Sequence, residues 1–246
     1  MTIEPVMLLQ AYALGVFPMS DDRHAAETYW VEPRRRAIMP LRDFDLSRSL
    51  ARTIRRERFK VTANRAFDRI LALCAEAAPD RPSTWINGAI EDAYLLLHQL
   101  GFAHSIECWE GDQLVGGLYG VALGRAFFGE SMVSRRADAS KVALAWLVAR
   151  MRWGGFSLLD CQFMTDHLRS LGAVEISQTA YQSLLGDALA DVRLGDAGAL
   201  LAGASGAPAS LAFDPLARAD PPSPPCLTVS GPLSGQAIAQ LLTQTS

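Results

Sequence analysis

Long apolar runs are missing from this 246-residue chain. None approaches the ~18 residues that a bilayer-spanning helix needs, and no Lys- or Arg-led apolar leader opens the sequence. Cysteine is scarce: Cys74, Cys108, Cys161 and Cys226 are scattered without CxxC or other metal-ligand spacing, and only four His accompany them. A structural zinc site is therefore not expected, and reduced thiols of a cytoplasmic protein are. Half of the residues are hydrophobic and a fifth charged, so there is ample material for a core.

An excess of positive charge is also missing, since the formal net charge is −3. That average conceals an imbalance. Residues 33–60, "PRRRAIMPLRDFDLSRSLARTIRRERFK", carry nine Arg and one Lys against Asp43, Asp45 and Glu57, a local charge of +7 that leaves −10 elsewhere. A solvated helix face explains such a run, and so does a partner rich in phosphate.

What is present reads as a sequence of elements. Residues 4–15 form a short helix stopped by Gly15, followed by a loop, "VFPMSDDRHAAETYWVEP". Leu46, Leu50 and Ile54 set the apolar face of a helix over 45–57, with Arg48, Arg52, Arg55 and Arg56 on its other faces. A short strand and two helices lead to residue 100. Strands over 104–109, 113–122 and 125–132 then form an antiparallel meander. A helix ending at Gly154–Gly155, the strand "FSLLDCQ", a helix and a last strand follow. This order predicts an α/β (α+β) mixed-sheet protein with an acetyltransferase-like (GNAT) catalytic domain over 39–190 and a small N-terminal domain over 1–38. Residues 191–246, rich in Ala, Gly, Pro and Ser, read as a disordered or loosely appended tail without its own core.

Polar groups inside apolar strands mark the candidate site. Asp160 and Gln162 interrupt "FSLLDCQ", and strand alternation puts them on one face, about 7 Å apart, with Cys161 on the other. A surface strand end explains them equally well, and Cys161 reads as a buried apolar thiol. Glu130 in "FFGESMVS" follows Gly129, which lets a ligand come close, although an ion pair with Arg135 or Arg136 is an alternative. His167, in the first turn of a helix, suits a base or a packed helix start. Acyl-CoA-dependent members of the GNAT fold cradle pyrophosphate with a Gly-rich loop before the long helix. The junction here, "SRRADAS", has no Gly, so a different acyl donor is expected.

These residues resemble a known family. "YALGVFP", "YWVEPRRRAIMPL", "TWI", "LVGGLYGVALGRAFFGESMVSR", "LLDCQ" and "DHLRSLGAVEI", in this order over residues 8–188, are similar to leucyl/phenylalanyl-tRNA–protein transferases. Met19 stands where that family commonly has Trp. The resemblance implies an enzyme without cofactor or metal that moves Leu or Phe, with Met as a further candidate, from aminoacyl-tRNA to the N-terminal amine of proteins beginning with Arg or Lys. It also implies a monomer, independent of membranes, that marks proteins for degradation. By position in the motifs, Asp160 and Gln162 correspond to the catalytic pair and Glu130 to the residue holding the α-amino group of the aminoacyl moiety. Leu118, Phe127, Met132 and Leu144 would line its side-chain pocket, Trp85 would stack on the terminal adenine, and Arg48, Arg52, Arg55 and Arg56 would hold acceptor-stem phosphates. An acyl-CoA-dependent N-acyltransferase and a noncatalytic RNA-binding module are the rival readings.

Overall fold

The alternating residues between 103 and 134 form the centre of a seven-stranded sheet. A computed structural model describes residues 2–77, 83–192, 213 and 234–243. The chain runs α1 (Pro5–Ala13), β1 (Phe17–Met19), β2 (Tyr29–Val31), β3 (Arg35–Met39), α2 (Arg48–Arg55), β4 (Lys60–Ala63), α3 (Phe67–Ala75) and α4 (Gly88–Gln99). The meander follows as β5 (Ala103–Glu110), β6 (Gln113–Leu123) and β7 (Ala126–Ser134). Then come α5 (Ala139–Trp153), β8 (Leu158–Gln162), α6 (Asp166–Arg169), β9 (Val174–Ser177), α7 (Gln178–Ala188) and a last helix, α8 (Gly235–Thr243).

Strand order in the large sheet is β4-β5-β6-β7-β8-β3-β9. All neighbours are antiparallel except β7 and β8, whose parallel pairing is made possible by the α5 crossover. Two segments depart from the sequence reading. The expected loop after α1 contains a two-stranded pairing of β1 with β2. The basic "RRAIM" is β3, inserted between β8 and β9, so the sheet begins before residue 38. Pairing partners more than a hundred residues away fix β3, and a local reading of charge has no access to them.

Helices cover both faces of the sheet. On one, α5 supplies Val142, Leu144, Leu147 and Met151, with Leu50 and Ile54 of α2 beside them. On the other, α1, α3, α4 and α7 bury Leu8, Tyr12, Ile70, Tyr94 and Tyr181. Local signals define several helix starts: Ser47 accepts from Leu50 N–H at 3.2 Å, and Asn87 accepts from Ile90 N–H at 3.0 Å. Close packing explains the glycines of "GGLYG", since a Cβ on Gly120 would overlap the Phe128 carbonyl and one on Gly117 that of Ile106.

Part of the expected tail is structured. Residues 193–212, 214–233 and 244–246 lie outside the described residues, but α8 packs against α2 and α5. Its Ile238, Ala239 and Leu242 form one apolar stripe at helical spacing, buried in the main core. Burial of each of the two larger side chains is worth about 1.5–3 kcal/mol. Arg152 of α5 donates to the Leu241 and Leu242 carbonyls at 3.2 Å, satisfying groups left open at the helix end. Averaging composition over the whole segment conceals this stripe.

Candidate active site

Glu130 is placed by a β-bulge. Tyr119 pairs with Ser131 and Gly120 with Gly129, which leaves Glu130 as the extra residue of β7. Such a bulge re-aims one side chain without ending the strand. The Glu130 carboxyl points between α1 and α4, where the Tyr12 hydroxyl lies 2.7 Å from Oε1 and the Tyr94 hydroxyl 2.7 Å from Oε2. Gln162 Nε2 also donates to Oε1, at 2.9 Å. Arg135 and Arg136 are engaged elsewhere, with Glu76 and Glu110, so the expected alternative of an ion pair with either does not hold. Burial pushes the carboxyl up to about 7, against the lowering effect of the Tyr12, Tyr94 and Gln162 hydrogen bonds.

Asp160 has a different environment. It is wholly buried and receives the Arg36 guanidinium, with Nε at 2.9 Å from Oδ1 and Nη2 at 2.6 Å from Oδ2. The Tyr181 hydroxyl donates to Oδ2 at 2.9 Å. Arg36 is equally enclosed: Nη1 donates to the Gly15 carbonyl at 2.9 Å, and its guanidinium lies 4.9 Å from the Phe17 ring centroid and 4.5 Å from that of Tyr181. Burial works against the Arg36 charge, but the hydrogen bonds and charge of Asp160 prevail and raise its pKa. Arg36 is therefore not among the basic residues available to a polyanion.

The shared strand face expected for Asp160 and Gln162 is corrected by the backbone. Gln162 has φ +61°, in the left-handed region, so alternation fails at the end of β8. The cause is local: Asp160 Oδ1 accepts the Gln162 N–H at 2.8 Å, the i to i+2 bond of an Asx turn. Gln162 consequently turns its amide toward Glu130 and into a cavity of ≈ 790 Å³, whereas Asp160 remains beneath it. Because Nε2 is committed to the Glu130 carboxyl, Gln162 Oε1 is left as an acceptor.

The cavity brings together most of the residues singled out in the sequence. Trp85, Leu118, Glu130, Met132, Leu144 and Gln162 line it, and Leu147 and Leu159 extend its apolar wall. Phe127 does not line it. The pleat turns Phe127 into the core against α5, where the Phe213 ring stacks on it at 5.3 Å. Cys161 and His167 also reach the cavity, so the thiol shares it with Gln162 instead of lying on the opposite face as expected. Burial pushes the Cys161 thiol up, away from nucleophilic character, and burial with the nearby Lys141 charge lowers the His167 pKa.

A family model for leucyl/phenylalanyl-tRNA protein transferase matches residues 38–186, and one for the N-terminal domain of the same proteins matches residues 1–34. The leucyl/phenylalanyl-tRNA–protein transferase of Rhizorhabdus wittichii is 59% identical over 253 residues, covering 99% of both chains. That of Zymomonas mobilis is 62% identical over 187 residues, 76% of this chain and 70% of the relative. The chain belongs to the leucyl/phenylalanyl-tRNA–protein transferase family.

In this transferase residues matched by the N-terminal family model contact the candidate site. Tyr12 reaches Glu130 from α1, and Gly15 and Phe17 hold Arg36. Sequence reasoning assigned no role to Tyr12, Tyr94, Arg36 or Tyr181. For the tyrosines the available signal was a hydroxyl on an otherwise apolar helix face. For the "DCQ" turn it was an Asp two residues before the residue it bonds. Elsewhere on the transferase, Arg48, Arg52, Arg55 and Arg56 line one concavity of ≈ 510 Å³ between α2 and Thr243 of α8. Among the described residues none of these four arginines joins a salt bridge.

Proposed function

We propose that this chain transfers Leu or Phe, and also Met, from aminoacyl-tRNA to the N-terminal α-amine of proteins that begin with Arg or Lys. The observation that carries the reading is the Gln162 amide, fixed by Asp160 and Glu130 at the wall of an apolar cavity. The ester is already activated, and an N-terminal amine with a pKa of about 7.7–8.0 is roughly one-quarter neutral near pH 7.4. The N–C bond forms as the ester C–O bond breaks, and the proton given up by the amine ends on the departing ribose oxygen. Gln162 Oε1 accepts from the attacking amine, and Asp160 orients Gln162 through its backbone. Holding amine and ester together supplies on the order of 7 kcal/mol of barrier reduction.

Glu130 receives the α-amino group of the donor, and Leu118, Met132 and Leu144 hold its side chain. Such a pocket separates substrates by only about 1–3 kcal/mol per methylene, which suits acceptance of several large apolar residues. Trp85 stacks on the terminal adenine. We assign the sheet to the acetyltransferase-like (GNAT) fold, supported by an antiparallel meander, a long helix and a parallel β8. The enzyme acts as a cytoplasmic monomer and its product is marked for degradation. The decisive assay is transfer of labelled Leu from charged tRNA to a peptide beginning with Arg, and none to one beginning with Ala; no transfer to the Arg peptide would reject the reading.

The α2 arginines hold acceptor-stem phosphates without reading sequence. Arg55→Ala combined with Arg56→Ala is expected to raise KM for charged tRNA. It should also reduce the slope of log affinity against log salt by on the order of 1–2. An unchanged slope in a salt titration would place the RNA elsewhere.

A further inference from the structure

Three oxygen contacts around Glu130 demand three protons. Tyr12 and Tyr94 lie 2.7 Å from the two carboxyl oxygens, and their hydroxyls are 2.6 Å from each other. O–H···O hydrogen bonds have this length when a proton lies between the oxygens. Each phenol carries one proton and an ionised carboxylate none. With Glu130 ionised, two protons serve three contacts, and one pair of oxygens faces across 2.6 Å with nothing between. With Glu130 neutral the count closes. Its O–H donates to Tyr94, Tyr94 donates to Tyr12, and Tyr12 donates back to Oε1, where Gln162 Nε2 donates as well.

We propose that Tyr12, Tyr94 and Glu130 form a closed three-proton ring in the free protein at mildly acidic pH, and that the ring releases the Glu130 proton when a cationic amine enters from the cavity. This rests on the proposed function, in which that cation is the α-ammonium of the aminoacyl donor. The balance is simple: the Glu130 O–H bond breaks, its proton leaves to solvent, and the carboxylate pairs with the arriving ammonium. The two phenols then donate to the carboxylate and the contact between them loosens. Tyr12 and Tyr94 are positioning residues in this scheme, acting on the donor through Glu130.

The surroundings favour the neutral form. Both tyrosines are completely enclosed, and Glu130 is 8% exposed. The charged and titratable groups facing it are Tyr12 of α1, Tyr94 of α4, Asp160 of β8, and Arg36 of β3, with Tyr119 of β6 beside the two phenols. Asp160 opposes a second negative charge, and the Arg36 cation is committed to Asp160. Burial first, then the Glu130 charge, raises both phenol pKa values, so neither tyrosine ionises in its place. A neutral ring spares the enclosed site a desolvated anion and distinguishes donors with a free α-amine from blocked ones.

Infrared difference spectra of the full chain, wild type minus Glu130→Gln, test this directly. A protonated-carboxyl stretch belonging to Glu130 is expected at pH 6, titrating away near the value of about 7 that burial imposes. Tyr12→Phe and Tyr94→Phe each open the ring and should shift the C=O stretch of the protonated carboxyl to higher wavenumber, because the first removes a donor to its oxygen and the second the acceptor of its proton. Two phenols acting only as donors to a carboxylate would leave no such band to shift at pH 6. Absence of the band at pH 6, or an unmoved band in either variant, overturns the ring. A band that behaves as expected in a protein unable to transfer Leu to the Arg peptide supports the ring and rejects the functional reading instead.

Discussion

Arg36→Met is expected to lower the unfolding free energy by about 3–5 kcal/mol, the cost of leaving a buried charge without its partner. Asp160 has no route to water, and only the Tyr181 hydroxyl and the Gln162 N–H would remain as its donors. The loss should appear as a reduced midpoint in denaturant with an unchanged slope. Adding Asp160→Leu removes the stranded charge, so the double variant should recover part of the stability and the two effects should fall short of their sum. Transfer activity should not recover with it, because the Asx turn that aims Gln162 goes with the carboxylate. A single Arg36→Met variant as stable as the wild type would refute the view that this ion pair holds β3 to β8.

The same ion pair shows what was legible in the sequence and what was not. Asp160, Gln162 and Glu130 could be singled out because polar groups inside apolar strands are costly and therefore conspicuous. The meander and the long α5 followed from alternation and helical period, which are local. The partners were not local. Arg36 lies 124 positions from Asp160, Tyr12 lies 118 from Glu130, and Tyr94 lies 36 from it. No periodicity connects such residues, and Arg36 was hidden in a run of cations whose other members are mostly exposed.

Backbone irregularities account for the remaining differences. The expectation of one shared face for Asp160 and Gln162 assumed regular alternation, which the left-handed turn at Gln162 breaks. The bulge at Glu130 shifts parity along β7, so Phe127 and Met132 both meet the α5 side although they are five positions apart. Met132 then borders the cavity, while Phe127 lies farther along the strand under Phe213. Each irregularity sits at a residue assigned a part in the reaction, where strain or a bulge re-aims one side chain.

Gln162→Gly separates the chemistry from the fold. Glycine occupies φ +61° without steric cost, whereas a side chain in this region loses roughly 1–2 kcal/mol. The Asp160 bond to the residue 162 N–H is a backbone contact and survives the change. Stability should therefore hold or rise slightly, offset by the lost Nε2 bond to Glu130. The rate should not hold. Loss of one preorganised polar group at a reacting centre costs about 10²–10³-fold in kcat. KM for charged tRNA should change little, because the proposal assigns donor binding to the α2 arginines and the apolar pocket. Gln162→Asn also tolerates the left-handed region but withdraws the amide by one methylene, and it should lose kcat to a similar degree. A glycine variant that keeps its kcat would show that Gln162 Oε1 does not meet the amine, and the acceptor would then have to be sought among the other polar groups on the cavity wall, His167 first.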